Sequence, residues 1–557
     1  MSIKKRTICN PVNISYQYQY DYYSRESADP AVVVYEGKYF LFASHGSGYW
    51  VSEDLADWEF IQVDPEKQPE FNLFAPGVCV VGKTMYITHS QGWTILNSDA
   101  PLDPTSWVDI GKPYDWFAPA FFTDDDGYVY AYEGLSRYHP IRVAKLDPKN
   151  DMKLVEGPFP CIESDVGNRG FERFGDNNEV GGELPYFEGA WMNKYNGKYY
   201  LTYAAPDTKY ASYADGCFVG DGPMGPFTYC KNSPVAWKNS GFLRGAGHGC
   251  LFEDLRGNWW KMDTVSISRN HEYERRLILL PAKFGGDGLL YTNAVRSDYP
   301  MYVPTENDEP FNTPGPDWNL LSYGKKARAS SVLDDDNLPS FAFDENIKTW
   351  WSARSGDVGE WLEVDLGDVY DVRGLQVNFA DQDIENVGGR GCTCTYRYKL
   401  EASVDGETFE PLADKSDNTD DYSHDYYEIT EGQRIRYIRL TNMGDAPAGG
   451  RFAVSGLRVF GYGNAPVPAA VNAVTCERLE DERMMTVSWG EVAGAEGYRI
   501  RFGINPDELN QHYMIQGQTS KKLMCLNKGV DYYVRVDAYN ESGVTVGTEV
   551  AKVPTRA

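Results

Sequence analysis

Five segments of this chain repeat one pattern, and that repeat limits the possible fold more than any other feature. Each copy starts with small or apolar residues, continues into alternating apolar positions, turns on a glycine and ends in an aromatic-rich run. The copies span 28–44, 74–90, 117–134, 187–205 and 245–264. Period-two alternation, a Gly-containing turn and a second alternating run read as a β-hairpin. The turn glycines Gly37, Gly82, Gly127, Gly197 and Gly257 follow one another at steps of 45, 45, 70 and 60 residues. A several-stranded unit recurring at such spacing predicts a β-propeller, and five copies predict five blades.

The repeat also predicts where a site would lie. In a propeller the first strand of each blade lines the central axis, so equivalent positions on those strands meet at one mouth of the channel. Seven to nine residues before the turn glycines stand Asp29, Ala75, Ala118, Glu188 and His248. Two carboxylates and a histidine around one axis exceed what packing requires, because buried acids are costly unless paired. A structural ion-pair cluster is the plainer alternative.

These positions fall in blocks that carry a family resemblance. RESADPAVV (25–33), FEGAWMNKYNGKYYLTYAAP (187–206), GAGHGCLFEDLRGNWW (245–260) and ERRLILLP (274–281) resemble glycoside hydrolase family 43. The resemblance runs from about Asn10 to Pro304. It implies a five-bladed propeller that hydrolyses arabinosides, xylosides or some galactans with inversion. It makes Asp29 the general base and Glu188 the general acid, and puts His248 where the family has a central residue beside a calcium ion or a water. Tyr49 and Trp50, after the base-bearing hairpin, and Tyr203, after the acid-bearing one, are candidates for stacking on a sugar. Blade packing is the alternative for each. Of Arg275 and Arg276, Arg276 is expected to reach the pocket and bond a sugar hydroxyl or a carboxylate, against a rim salt bridge.

One position departs from the family's pattern. The third blade usually carries an Asp-Pro pair before its acidic turn, and that aspartate lifts and orients the general acid. Here the pair is Ala118-Pro119. A nearby like charge favours the protonated form of a carboxyl group. Without it, Glu188 is expected to rely on desolvation, and activity to be reduced.

The remaining chain reads as a linker and two smaller domains. TENDEPFNTPGP (305–316) is polar and rich in turn residues, and separates a propeller over 1–304 from a domain over 317–462. KARASS (326–331), AFDENIKTWWSA (342–353), GEWLEVDLG (359–367), IRYIRLTN (435–442) and VSGLRVFGYG (454–463) resemble a discoidin-like (coagulation factor 5/8 C-type) β-sandwich, a fold also used as a carbohydrate-binding module. Such domains hold a structural calcium in the loop that here contains Asp344 and Asn346. In 463–557, VSWGEVAGAEGYRIRFG (487–503) and LNKGVDYYVRVDAYNESG (526–543) resemble a fibronectin type III domain, with Trp489 in its core and Tyr532 at a tyrosine corner. The fold class expected is all-β: a five-bladed β-propeller followed by two β-sandwich domains. Every axial residue precedes Pro316, so both C-terminal domains are expected to be dispensable for turnover.

Charge and missing motifs narrow the function. A formal net charge of −28 disfavours nucleic acid and anionic membrane and suits an oligosaccharide or polysaccharide partner. No nucleophile elbow, P-loop, HExxH pair or dinucleotide fingerprint occurs. No apolar run is long enough for a transmembrane helix and no signal peptide is visible. A cytoplasmic location is expected for the chain as written, and secretion if a leader has been removed. Ten cysteines without a CxxC pair predict free thiols rather than a zinc site. The chemistry requires no cofactor; a structural calcium is the one ion implied. The expected function is exo-acting, inverting removal of a terminal arabinofuranosyl or xylosyl unit, with galactosyl next, from plant-type glycans. The rival is a catalytically impaired glycan-binding propeller.

Overall fold

The computed structural model describes residues 5–16, 25–64, 66–68, 71, 73–90, 94–267, 269, 273–384 and 394–556. The five repeats become five antiparallel sheets. The first contains Ala28–Tyr35, Lys38–Ser44, Gly48–Ser52 and Glu59–Gln62 in that order. The others open with Gly77–Val81, Ala120–Thr123, Glu188–Tyr195 and Gly245–Glu253. All are four-stranded except the fourth, which gains Ala236–Trp237 as a fifth strand. The five turn glycines take φ between 63° and 85°, a left-handed conformation that costs glycine least. The opening strands pack in a closed ring, each against the next and the fifth against the first. This is the five-bladed propeller that the repeat predicts. Strand Thr7–Ile8 pairs with Met301–Tyr302, beyond the fifth blade.

The second unit is a sandwich built on two 19-residue strands, Trp361–Phe379 and His424–Asn442. Register shifts between Asp365 and Tyr370 and between Val372 and Gly374 bend the first of them. Its beginning pairs with Lys326–Ala329 and its end with Ala453–Tyr462, so one strand serves both layers. Phe379 and Tyr396 stack between them at 3.9 Å. In the third unit a sheet of Val474–Arg478, Met485–Trp489 and Ser520–Leu523 accompanies a second sheet centred on Gly497–Gly503 and Tyr532–Asn540. Trp489 packs on Tyr498 at 5.2 Å, and the Tyr532 hydroxyl accepts a hydrogen bond from Asn527 N at 2.9 Å.

The three units share buried surfaces. The 305–316 stretch folds back on the propeller, where Pro314 O accepts from Tyr302 N and Phe311 O from Asn293 Nδ2, both at 2.8 Å. One apolar cluster runs from Phe171 and Trp237 of the propeller to Phe502, Tyr513 and Leu526 of the third unit. The second unit meets the segment just before Asp29 through ion pairs. Arg25 binds Asp381 at 2.6 Å and also pairs with Asp421, all three side chains being at most 2% exposed. Nine cysteines are free, and Cys392 lies outside the described residues. Among the described residues no helix is long and apolar enough to cross a membrane.

Candidate active site

Four of the five blades bend their first strand at the axis by one device. Asp29, Ala75, Ala118 and His248 have φ of 52°, 48°, 44° and 49°. In the fourth blade the left-handed residue is Gly189, φ 62°, directly after Glu188. Such a backbone costs a residue with a Cβ roughly 1–2 kcal/mol and persists only where its surroundings over-determine it. Here the preceding blade supplies the hold. Thr264 Oγ1 accepts from Asp29 N at 2.8 Å, Ser44 Oγ from Ala75 N at 2.7 Å, Ser90 Oγ from Ala118 N at 2.8 Å and Asp215 Oδ1 from His248 N at 2.8 Å. The kink turns the side chains into the mouth: Asp29, Ala75, Ala118, Glu188 and His248 all line one cavity of about 300 Å³.

Both carboxylates approach His248. Its Nδ1 is 3.3 Å from Asp29 Oδ1 and 4.0 Å from Glu188 Oε2. Those oxygens are therefore no more than about 7.3 Å apart, a bound that reaches into the separation of about 6.5–9.5 Å needed to seat a water between base and sugar. Gly189 permits the approach, since a Cβ there would stand 2.8 Å from His248 Cγ. Asp215, which holds the His248 backbone, is itself fixed by the buried Lys261 at 2.5 Å.

The surroundings push the two carboxyls in opposite directions. Burial, the largest single influence, would raise Asp29, but the charge of Arg275, then His248 and a hydrogen bond from Ser44 Oγ at 2.6 Å together outweigh it, and Asp29 is held below the ordinary aspartate range. Arg275 Nη1 lies 3.3 Å from Asp29 Oδ2, and its Nε 3.5 Å from Glu26. Glu188 is pushed up to about 8, first by burial, then by the charge of Asp29, with Asp207 adding to it. A hydrogen bond from the Tyr213 hydroxyl, 2.9 Å from Oε1, opposes the rise. Burial keeps the His248 imidazole below its usual pKa despite Asp29.

Several sequence-derived candidates lie elsewhere. Tyr49 and Trp50 are buried within the first blade; the Tyr49 hydroxyl bonds Pro101 O, and Trp50 packs on Phe60 at 4.9 Å. Tyr203 is buried against Phe187 and donates to Glu172 Oε1 at 2.7 Å. Arg276 points away from the axis and donates to His424 Nε2 of the second unit at 2.9 Å. Adjacent strand residues face opposite sides, so it is Arg275 that enters the pocket. Asp207 lines the cavity too; it lies just after the strand that follows the acid-bearing one, where a lone Asp in a loop gave no sequence signal. Asp29, beside His248, is bonded by Ser44 and the Arg275 guanidinium. Asp344 and Asn346 bond within their own loop: Asp344 accepts from Asn346 N at 3.0 Å and Thr349 Oγ1 at 2.7 Å, and Asn346 Oδ1 from Lys348 N at 3.3 Å. Among the described residues no group of three potential metal ligands occurs.

An axis that keeps one carboxyl protonated beside another that is ionised has the apparatus of a glycoside hydrolase. Residues 23–290 match glycosyl hydrolases family 43 and residues 326–454 match the F5/8 type C domain. The xylosidase/arabinosidase 43A of Humicola insolens is 36% identical over 337 residues, 48% of this chain and 96% of that protein. A β-xylosidase of Xylanibacter ruminicola is 30% identical over 269 residues, 38% of this chain and 80% of that protein. A xylosidase/arabinosidase of Bacteroides ovatus is 27% identical over 327 residues, 48% and 94% of the two chains. The chain belongs to glycosyl hydrolases family 43.

Proposed function

We propose that the protein is an inverting, exo-acting glycoside hydrolase that removes terminal arabinofuranosyl or xylosyl residues from plant-type glycans, with terminal galactosyl residues next. The observation that carries this reading is the opposed ionisation of Asp29 and Glu188 across one cavity. Asp29 takes a proton from water, the water oxygen bonds to the anomeric carbon, and the glycosidic bond breaks from the opposite face. Glu188 gives its proton to the departing oxygen. Arg275 keeps Asp29 ionised so that it can act as a base. Asp207 supplies a like charge that helps Glu188 retain its proton, a task Ala118 cannot perform. The choice of sugar rests on the names of the relatives, and exo action on the small size of the cavity, about 300 Å³, at the lower end of ligand pockets.

The division at 1–304, 317–462 and 463–557 extends the same reading. The second unit adds glycan binding near the propeller, and the third, a fibronectin type III domain, spaces and braces the other two. The deciding experiment is a panel of aryl glycosides and natural oligosaccharides with the first-formed anomer followed by NMR. Release of arabinose or xylose in the inverted configuration supports the proposal. Retention of configuration overturns the mechanism, and binding without turnover favours a glycan-binding propeller, the reading to which Ala118 points.

A further inference from the structure

A second cavity, of about 260 Å³, opens where the three units meet and shares no lining residue with the axial pocket. Its cations are poorly paired. Arg499, on strand Gly497–Gly503, is 4% exposed, and its side chain has no hydrogen bond or ion pair among the described residues; its Nε is buried without a partner, and the guanidinium lies over the Tyr539 ring at 5.3 Å. The carboxylate directly across the sheet, Asp537, is taken by Arg535 at 2.7 Å. Arg244, from the propeller, donates to Gly241 O at 3.4 Å and forms no ion pair among the described residues. Lys521 donates to a neutral partner, Asn177 Oδ1, at 3.0 Å. Nearby Arg296 is pushed down to about 10, first by burial and then by the charge of Arg499.

A buried guanidinium without a counter-ion is expensive, and its planar fork matches a carboxylate or phosphate. The rest of the lining is not simply cationic. Glu345 is neutralised by Arg458 at 2.9 Å, while Asp176, Asp344 and Glu496 face the cavity as acceptors. Tyr323 and Tyr539 add ring surface. One anion-seeking pole, several acceptors and aromatic faces fit a ring bearing both hydroxyls and an acidic group. We propose that this junction is a binding site for a polyhydroxylated anion the size of a monosaccharide. Its oxyanion sits on Arg499, with Arg244 elsewhere on the same wall, and its hydroxyls on Asp176 and Asn177. Because all three units line the cavity, occupancy stabilises their assembly by mass action.

The test uses the full chain, calorimetric titration and thermal unfolding, with three probes: glucuronate, inorganic phosphate, and glucose as a neutral control. One anion is expected to bind saturably and raise the unfolding midpoint, and which one does so distinguishes a carboxylate ligand from a phosphate ligand. Arg499→Gln is expected to weaken binding by about tenfold or more, the loss of a charge-assisted bidentate contact. If that variant fails to fold, Arg244→Gln serves the same purpose. The proposal is overturned if neither anion binds, if glucose binds as tightly, or if the substituted chain binds like the parent. None of these readouts depends on glycoside hydrolysis, so its failure and that of the axial reading are separable.

Discussion

Substitution of Asp207 tests how Glu188 keeps its proton. Glu188 stands at about 8 instead of 4.5, with burial first among the causes, Asp29 second and Asp207 also raising it. At an effective dielectric constant of about 20, a like charge at roughly 8 Å is worth about 2 kcal/mol, or about 1.5 pKa units, and Asp207 lines the same cavity as Glu188. Lys209 Nζ lies 3.6 Å from Asp207 Oδ2 and neutralises part of that charge, so an effect of about 0.5–1 unit is expected. The sign follows from electrostatics. Removing a like charge eases ionisation, so Glu188 in Asp207→Asn loses its proton at lower pH, and the alkaline limb of kcat/KM moves down. Ala118→Asp restores a carboxylate to the cavity wall and moves the same limb up. The assay is kcat/KM against pH on a natural oligosaccharide, beside an aryl glycoside whose leaving group departs without a proton. Only the oligosaccharide profile is expected to shift. An alkaline limb that stays in place in both variants, or rises in Asp207→Asn, refutes the assignment.

Three further outcomes are expected. Since native Glu188 holds its proton up to about 8 while the unfolded chain releases it near 4.5, stability falls as pH rises between those values, by as much as about 4–5 kcal/mol. Glu188→Gln should flatten that fall in urea melts at several pH values and abolish turnover on natural substrates, and a slope like that of the parent would show the carboxyl to be ionised throughout. Gly189→Ala combines φ of 62° with a contact of 2.8 Å to His248 Cγ; about 1–3 kcal/mol of stability and most activity should be lost, whereas near-parental kcat would mean that the His248 position is immaterial. Asp381→Ala leaves Arg25 buried with Asp421 as its remaining carboxylate, costing about 3–5 kcal/mol in denaturant titration and lowering kcat on a small aryl glycoside; loss of stability alone would show that the anchor does not reach the site.

The sequence displayed the repeat and the axial register well because both depend on local periodicity. Turn glycines and alternation fix the hairpins, and the hairpins bring Asp29, Glu188 and His248 to one axis whatever else surrounds them. Aromatic candidates were harder to place. Tyr49, Trp50 and Tyr203 sit close in sequence to the axial hairpins, but a blade has far more interior than mouth, and aromatic side chains fill interiors. Arg275 and Arg276 could not be told apart by spacing, because strand alternation gives opposite faces to neighbours and only the packed sheet decides which face is axial. Asp207 was invisible for a different reason: it belongs to a loop, where no period marks direction. The left-handed backbone at the axial positions was also hidden, since Asp, Ala and His carry no glycine-like signal. It is imposed by the side chains of the preceding blade, partners remote in sequence.

Those long-range partners also bear on whether the propeller can work alone. Every axial residue precedes the second unit, which suggested that the later domains could be removed without loss of turnover. The contacts argue otherwise. Asp381 and Asp421 hold Arg25, and Arg276, whose Nη1 donates to Arg25 O, is tied to His424. Between these anchors, Glu26 binds Arg275 at 3.5 Å and His45 at 2.8 Å, and Arg275 reaches Asp29. The base is thus four residues beyond a buried ion pair made with another domain. Removing that domain would place the Arg25 and Arg276 guanidiniums in water, where they no longer require the chain to hold its course, and the cation that keeps Asp29 ionised would lose its neighbour's support. Electrostatic positioning is sensitive to sub-ångström shifts, so a domain that contributes no group to the chemistry can still set how well the chemistry proceeds.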